Sequence, residues 1–272
     1  NGDVTGSYAT ATVSGSGVRY GGLVGTMGSS GTISESYATG DVSGDDLMGG
    51  LAGQLRGSVS ESYATGNVTG TDEVGGLIGT SLGGDVDTSY ATGDVSGDNI
   101  VGGLVAYNRN GGQVDTSYAT GTVTGSSNVG GLVGVNTATV TNAYWDTQTT
   151  GQASSAGGTG LTTAQMRGSS ASSNMTGFDF ANTWDAVNTG SGTTVSYPYL
   201  VDNRQDPEPG RETIGGSPTF TLTSTAFPSS VTVGGDAAVD YTVENTGGAS
   251  GGTTVELVHQ NGTTDRKSTR LN

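Results

Sequence analysis

Short apolar stretches separated by glycines recur at a regular interval through the first half of the chain. In each copy a valine or isoleucine stands four residues before a tyrosine, and a second valine stands five residues after it. A Gly-Gly-Leu element then follows. Successive tyrosines lie 29, 26, 27 and 28 residues apart, and they are Tyr8, Tyr37, Tyr63, Tyr90 and Tyr118. A near-constant interval of this size is typical of a repeat architecture.

Aligning the copies produces four apolar columns. The columns are Ile33, Val59, Val86, Val114 and Val140; Val13, Val42, Val68, Val95 and Val123; Tyr20, Met48, Val74, Val101 and Val129; and Leu23, Leu51, Leu77, Leu104 and Leu132. The apolar pieces are short, rich in β-branched residues and bounded by glycine, which predicts strands and turns rather than helices. We expect about three strands in each repeat.

One repeat cannot bury its own apolar side chains, whereas stacked repeats bury each column continuously. The sequence therefore predicts an all-β fold with a parallel β-solenoid over residues 1–146. Five to six layers about 4.8 Å apart make a rod roughly 25 Å long.

Glycine, serine, threonine and tyrosine recur in phase with these columns. We expect the glycines to form corners with positive φ and to let one coil approach the next closely. Stacked hydroxyls favour hydrogen-bonded ladders, and the tyrosine rings favour offset packing along the rod. A stripe of tyrosines that binds sugar rings is the alternative interpretation.

After Tyr144-Trp145-Asp146 the repeat loses its phase, and residues 147–202 are interpreted as a small C-terminal cap on the end of the rod. Residues 147–160 predict a loop, 161–166 a short helix, and later aromatic residues such as Phe178 and Trp184 a packed end. An aromatic sugar-binding pocket that includes Trp145 or Trp184 is the alternative.

The remaining chain divides into three predicted parts. Residues 203–218 contain three prolines and predict an extended linker. Alternation at 219–223, 231–233, 239–243 and 254–258 predicts part of an antiparallel, immunoglobulin-like β-sandwich over 219–264. Residues 265–272, which hold the single Lys267, are interpreted as a non-native tail; a polybasic partner site is the alternative.

Charge restricts the classes of partner. The formal net charge is −16, with eight Arg, one Lys, 18 Asp and seven Glu. We therefore expect neither nucleic acid nor an anionic membrane as a partner. Acid excess with almost no lysine resembles proteins of salt-loving archaea, since carboxylates keep a surface hydrated when salt screens charge; an ordinary acidic secreted protein is the alternative.

Several further features concern context. The chain has no Cys, so it has no disulfide or thiolate metal site. No apolar run of about 18 residues is present, so we expect no membrane insertion by this segment. The chain opens inside a repeat without an initiator Met, and we expect it to be a piece of a longer protein.

Carboxylates gather in two sets of turns. The sets are Asp45, Asp46, Asp72, Glu73 and Asp98; and Glu35, Glu61, Asp87 and Asp115. Stacked carboxylates suit Ca²⁺, which takes six to eight oxygen ligands. The last copy has Ser126-Ser127-Asn128 instead, which favours a solvated acidic face, so we predict no cofactor and no metal ligand.

Arginines are the candidate bases of a polysaccharide-degrading β-helix. Arg56 and Arg109 each lie five residues after a central leucine, so they share a column two layers apart, but neither has an acid at fixed spacing. Such catalysis needs paired acids or a base beside an acid cluster. We therefore predict that the chain is not an enzyme and assign no catalytic residue.

The Gly-Leu-x-Gly cores identify a resemblance to the GLUG-repeat family over about residues 1–146. The cores are Gly22–Gly25, Gly50–Gly53, Gly76–Gly79 and Gly131–Gly134, while the fourth copy, Gly103–Ala106, ends in alanine. Such repeats occur in large bacterial and archaeal surface proteins, including adhesins and some secreted immunoglobulin A peptidases. The zinc chemistry of those peptidases needs His-Glu-x-x-His, which this chain, with the single His259, lacks.

The resemblance implies a non-enzymatic structural or adhesive segment of a secreted or cell-surface protein, placed outside the cell and acting as a stiff stalk. Cell-surface glycans or other surface proteins are the implied partners. Residues 243–247 also resemble a turn of CARDB-type domains, which are immunoglobulin-like modules of prokaryotic surface proteins. A carbohydrate-binding module and a polysaccharide-degrading enzyme remain the alternatives.

Overall fold

The structure is a computed structural model of the 272-residue chain. It describes residues 2–188 and 194–211 with their side chains, and the backbone of 212–213, 220–226, 240–245, 251–258 and 264–271. The chain divides into two compact units. One runs to Ala186 and includes Tyr197–Pro209, and the other contains Val187–Ser196 and the chain from Gly210 onward.

The first unit contains a parallel β-solenoid, as the sequence predicts. In residues 2–188 the chain passes through five sheets, named here A to E in the order in which a coil visits them. Each coil therefore contributes five short strands, and the prediction of about three is wrong. The additional strands exist because every corner is made by only two to four residues, which leaves most of each repeat extended.

The strands of each sheet follow one another by one repeat. Sheet A is Val4–Thr5, Thr32–Ser34, Ser58–Ser60, Asp85–Asp87, Gln113–Asp115 and Thr139–Val140. Sheet B is Tyr8–Ala9, Tyr37–Ala38, Tyr63–Ala64, Tyr90–Ala91, Tyr118–Ala119, Tyr144–Asp146 and Thr159–Leu161. Sheet C is Val13–Ser14, Val42–Ser43, Val68–Thr69, Val95–Ser96 and Val123–Thr124. Sheet D is Val18–Gly21, Asp46–Gly49, Asp72–Gly75, Asn99–Gly102 and Ser127–Gly130. Sheet E is Val24–Met27, Ala52–Leu55, Ile78–Leu82, Val105–Arg109 and Val133–Asn136.

Equivalent residues of neighbouring copies pair in register. Tyr63 pairs with Tyr90 in sheet B, and Val68 pairs with Val95 in sheet C. The pairing is parallel throughout these five sheets, so each apolar column of the sequence becomes a row of stacked side chains along the rod.

Two apolar strips run along the inside of the coils. One contains the leucine column, and Leu51, Leu77 and Leu104 are fully buried in it. The other joins the valines of sheet C to the Met48 column of sheet D. The leucines therefore lie inside a common rod, which confirms the prediction on which the solenoid depended.

Most glycines of the repeat act through close approach. A Cβ on Gly50 would lie 2.2 Å from the carbonyl oxygen of Gly76 in the next coil. The predicted positive φ occurs at some glycines, among them Gly6, Gly83 and Gly111, but in most coils it falls on non-glycine residues in two columns. The columns are Glu35, Glu61, Thr88, Thr116 and Asn142, with φ between 44° and 48°, and Arg19, Leu47, Glu73, Ile100 and Asn128, with φ between 49° and 68°.

A ladder of buried serines joins the coils, as the sequence predicts for stacked hydroxyls. The Oγ of Ser89 accepts the N–H of Ser62 at 3.2 Å and donates to the carbonyl of Asp87 at 2.7 Å. The same pair of bonds recurs in other coils, with N–H groups of Ser7, Ser36 and Ser89 bound to Ser36, Ser62 and Ser117. Each hydroxyl thus satisfies an amide that the coil geometry would leave unpaired.

Replacing Ser89 by alanine is expected to lower the free energy of unfolding by about 1–3 kcal/mol, because the buried N–H of Ser62 loses its acceptor. Chemical denaturation followed by circular dichroism measures the change. The control is Ser96→Ala in the same coil, whose side chain is exposed; it should change stability by less than about 0.5 kcal/mol. Equal losses in the two variants would contradict the ladder's role.

Residues 148–161, named here the end cover, close the C-terminal edge of the solenoid. The carbonyl of Thr150 accepts the N–H of Val123, and the Oγ of Ser155 accepts the N–H groups of Leu132 and Val133 at 3.2 and 2.8 Å. Trp145 takes the place of the inward-facing alanine in sheet B and packs against the main apolar strip. The end cover thus forms hydrogen bonds with the last strands of sheets B, C and E and with the corner between sheets D and E.

Residues 162–186 and 197–209, named here the flank cover, lie along the side of the rod and not on its end. The helix of this segment is Gly168–Asn174 rather than 161–166. Thr162–Met166 forms a single turn closed by Gln165, whose Oε1 accepts the N–H of Thr162. The turn does not continue as a helix because Gly168 adopts a φ of +54°. Trp184–Asp185 pairs antiparallel with Tyr199–Leu200.

The flank cover extends into the predicted linker. Asn203 donates through Nδ2 to the carbonyl of Glu61, which directly follows the third of the six sheet-A strands. Residues 203–209 are thus held in the first unit, and an extended linker over the whole of 203–218 stays a prediction.

The second unit contains antiparallel pairs. These are Thr194–Val195 with Glu212–Thr213, Phe220–Ala226 with Asp240–Asn245, and Gly251–Val258 with Thr264–Leu271. Three of the predicted strand regions thus coincide with strands, and 231–233 lies outside the described residues. The immunoglobulin-like sandwich, its CARDB resemblance and the non-native tail at 265–272 stay predictions.

Candidate functional site

The tyrosine column stands on the outer face of sheet B. Tyrosine and alanine alternate along each strand, so the alanine enters the main apolar strip while the tyrosine ring points away from it. Neighbouring rings lie 4.9–5.2 Å apart between centroids and are inclined by at most 9° from Tyr8 to Tyr118. The predicted stacking of these rings is confirmed.

The flank cover buries most of this column. Trp184 packs 5.9 and 6.1 Å from the rings of Tyr118 and Tyr90, and Tyr118 donates to the carbonyl of Pro198 at 2.5 Å. Burial raises the pKa values of the Tyr90 and Tyr118 hydroxyls well above their usual value. The other residues of the cover in this cluster are Met166, Ala171, Met175, Phe178, Tyr197 and Leu200.

This packing corrects the sequence-based choice of sugar-binding aromatics. Trp145 is 6% exposed and Trp184 is 1% exposed, so neither ring offers a face to a sugar. In the column, Tyr8 is 65% exposed, while Tyr63 to Tyr144 are buried. The aromatic residues predicted as a binding platform serve instead to attach the cover to the rod.

A buried carboxylate fastens the cover at the solenoid's last turn. Asp146 accepts the hydroxyl of Tyr197 at 2.5 Å and the N–H of Gln148 at 2.8 Å. Burial, with the hydrogen bond and charge of Asp146, raises the pKa of Tyr197 to about 12, and the guanidinium of Arg167 lies over its ring. The phenol therefore stays protonated and keeps donating across the neutral range.

Some carboxylates join coils rather than face solvent alone. Asp41 accepts the N–H of Asn67 at 2.8 Å, Asn67 accepts that of Asp94 at 3.0 Å, and Asp94 accepts that of Thr122 at 2.8 Å. These residues directly precede the valines of sheet C. Short Asp and Asn side chains reach the next coil's amide, so part of the acidic content has a structural role that sequence reasoning missed.

The second predicted set of carboxylates, which contains Glu35, Glu61 and Asp87, brings like charges together. Burial raises the pKa of Glu61, and the charges of Glu35, Asp202 and Asp87 raise it further. Burial likewise raises the pKa of Asp87. Since the folded state holds these protons more tightly than the unfolded chain, ionisation of the carboxyls disfavours folding as the pH rises above the unfolded pKa.

The substitution Glu61→Gln is therefore expected to stabilise the protein at pH 7 in low salt, by less than about 1 kcal/mol for this partly exposed group. The gain should shrink in molar salt, which screens charge within about 3 Å. It should also vanish as the pH falls to about 4, where the unfolded glutamate is protonated. Thermal unfolding midpoints at both pH values and both salt concentrations test this; a gain independent of salt would contradict it.

Metal binding is not supported by a preformed cluster. Among the residues that the structure describes, no three or more His, Cys, Asp or Glu side chains are grouped so that they could hold a metal ion. Ca²⁺ binding by the acidic columns stays an untested prediction.

The arginine column predicted at Arg56 and Arg109 does have an acidic neighbour. Arg109 lies 3.5 Å from Oε1 of Glu73 and stacks over the ring of Tyr107 at 4.3 Å. Burial raises the pKa of Glu73, and the Arg109 guanidinium opposes that rise. The pair joins sheet D of one coil to sheet E of the next, which is why no fixed sequence spacing reveals it.

Comparison with known proteins agrees with the class of repeat that the coils define. The model of the GLUG motif family matches residues 70–96 and 97–124, so two adjacent coils carry this motif. These matches cover the fourth and fifth tyrosines, Tyr90 and Tyr118, with their valine and Gly-Gly-Leu elements. No solved structure matches the chain.

A curated relative is halomucin of Haloquadratum walsbyi (strain DSM 16790 / HBSQ001), which is 47% identical over 64 residues. The matched segment is 23% of this chain and 1% of halomucin. The chain is thus similar to a very small part of a much longer protein. In the described part of the chain no helix is long and apolar enough to cross a membrane.

Proposed function

We propose that the chain is a non-enzymatic structural segment of a secreted or cell-surface protein and that its solenoid is a stiff spacer. The observation that carries this proposal is the use of recurrent side chains for joining coils. The buried serines and the Asp41–Asn67–Asp94 series bind amides of the neighbouring coil. A fold held by contacts repeated at every layer resists bending, so it keeps its two ends at a fixed distance from each other.

The proposed place is outside the cell, in salt. The GLUG motif, the similarity to halomucin and the net charge of −16 support this place together. An adhesive role, with surface glycans or other surface proteins as partners, is the finer form of the proposal. An antiserum raised against the chain should label intact producing cells; labelling only after lysis would contradict the location.

Force spectroscopy tests the spacer role directly. The chain has no cysteine, so Thr5→Cys and Gln148→Cys provide two specific attachment points at the ends of the solenoid. We expect stepwise resistance as the first coils detach one after another, since they contact chiefly their neighbours. The coils that the flank cover bridges should detach together at higher force. Extension at low force without steps would contradict a stiff spacer.

The absence of catalysis is also part of the proposal. Incubation with acidic polysaccharides should leave their length unchanged. Release of shorter chains that depends on Glu73 or Arg109 would instead support the β-helix enzyme alternative.

A further inference from the structure

A groove on the wall of the solenoid gathers three arginines of this acidic chain. Its volume is about 420 Å³, and it lies between the outer side of sheet D and the ends of the sheet-E strands. Charged residues along it are Arg19, Arg56, Arg109, Asp46, Asp72 and Glu73. It follows the rod over about three layers, which corresponds to roughly 10–15 Å.

Backbone geometry fixes one wall of the groove. Arg19 and Glu73 belong to the positive-φ column of sheet D. Asp46 pairs with Asp72 and Met48 pairs with Val74, while the residues between them, Leu47 and Glu73, are left out of the pairing. The residue at this position has the same left-handed backbone conformation in each coil, and the register is the same before and after it. Arg19 and Glu73 therefore lie on one line along the rod.

The arginines differ in their bonding. Arg109 is held by Glu73 and Tyr107. Arg19 and Arg56 are exposed and have no carboxylate within ion-pair distance among the residues that the structure describes. Two guanidinium groups thus remain available at this groove, in a chain whose net charge is −16.

Guanidinium groups recognise oxyanions through paired N–H donors, which a carboxylate or a sulfate accepts. The carboxylates on the sheet-D wall accept hydrogen bonds and repel anions. A ligand for the whole groove therefore carries oxyanions for Arg19 and Arg56 and hydroxyl donors for Asp46. A peptide rich in acids supplies only the first of these and meets repulsion from Asp46, Asp72 and Glu73.

We propose that this groove binds an anionic sugar chain, with Arg19 and Arg56 binding its carboxylate or sulfate groups and Asp46 accepting its hydroxyls. The ring-stacking aromatics predicted from the sequence have no part in this site. Binding depends on short-range hydrogen bonds, since the negative charge of the whole protein repels a polyanion at long range. Salt therefore weakens the repulsion along with the attraction.

The test compares oligosaccharides that differ only in charge. A hexamer of galacturonate, its methyl-esterified form and a sulfated hexasaccharide are titrated into the full chain by isothermal calorimetry. We expect the uronate or the sulfated sugar to bind. The esterified hexamer should bind at least about tenfold more weakly than the better of these two. The better of the two anionic sugars identifies the oxyanion.

Variants locate the site. Arg19→Gln with Arg56→Gln should weaken binding of the anionic sugar by about tenfold or more. Asp46→Asn should weaken the anionic and the esterified sugar alike. The matched control is Asn67→Asp with Thr122→Asp, which makes the same total charge change of −2 at two exposed positions away from the groove, where other coils already carry Asp41 and Asp94. Its affinity should stay within about twofold.

Circular dichroism spectra and unfolding midpoints check that the variants fold. Both should stay unchanged, because none of the substituted side chains is buried. The proposal is wrong if none of the sugars binds, if the esterified hexamer binds as well as the uronate, or if the arginine variant binds normally. A hexa-aspartate peptide that competes as strongly as the uronate would assign the groove to acidic peptides instead.

Discussion

The substitution Leu77→Ala is expected to lower the free energy of unfolding by about 2–5 kcal/mol, a large share of the stability of an ordinary domain. Leu77 is fully buried between Leu51 and Leu104 in the main apolar strip. Its backbone joins the same layers, since its N–H donates to the carbonyl of Leu104 and its carbonyl accepts the N–H of Leu51. Truncation leaves a cavity that these hydrogen-bonded coils cannot close by moving together.

Equilibrium denaturation followed by circular dichroism measures this loss. The matched control is Leu23→Ala, at the same repeat position in the first coil, where the leucine is only partly buried. Its loss should be well below that of Leu77→Ala, because less apolar surface leaves water there. If the two variants lose the same stability, the leucine column is not the continuous core that the structure shows.

Phase along the sequence was sufficient to predict most of the rod. Parallel in-register pairing places residues one repeat apart in direct contact. Residues that recur at this interval therefore predict the apolar columns, the serine ladder and the tyrosine stack. The Asp41–Asn67–Asp94 series also had a visible signal, since these residues stand directly before the valines of sheet C. This signal was missed because the polar residues of the turns were all interpreted as a solvent-exposed face.

Corners were harder to predict from the sequence. Positive φ normally favours glycine, yet the structure gives it to Glu61 and Leu47, while Gly50 is required where two backbones meet. Leu47 is held in this conformation by the sheet-D pairing on both sides of it, and local propensity does not show this. The number of strands in each coil was underestimated for the same reason.

Contacts between different sheets had no sequence signal. Glu73 and Arg109 are 36 residues apart and meet because sheet D of one coil faces the end of a sheet-E strand of the next. The aromatic residues of 178–200 indicated that this segment packs against the rod, but not whether it packs against the end or the side. The structure shows that they pack against the row of tyrosine rings on sheet B.

Gly76→Ala is expected to lower the free energy of unfolding by about 3 kcal/mol, the upper end of the usual cost of overpacking, because one added methyl group has no room. Its Cβ would lie 2.1 Å from the carbonyl oxygen of Gly103 and 3.0 Å from the Cβ of Ala91. The nearest obstacle is backbone and not a flexible side chain, so two hydrogen-bonded coils must separate. The loss should appear as a lower denaturation midpoint for the whole solenoid.

The chain supplies a matched control at the last glycine of the Gly-Leu-x-Gly core. The fourth copy already has Ala106 at this position, fully buried within the coil. Gly134→Ala places the same methyl group at the same position of the next coil, where the nearest atoms are three carbonyl oxygens at 2.9 Å. We expect a loss within about 1 kcal/mol, since Ala106 shows that a small shift admits the methyl group. Equal losses at Gly76 and Gly134 would mean that glycine is required for chain flexibility throughout the repeat, and not for the approach of one backbone to the next.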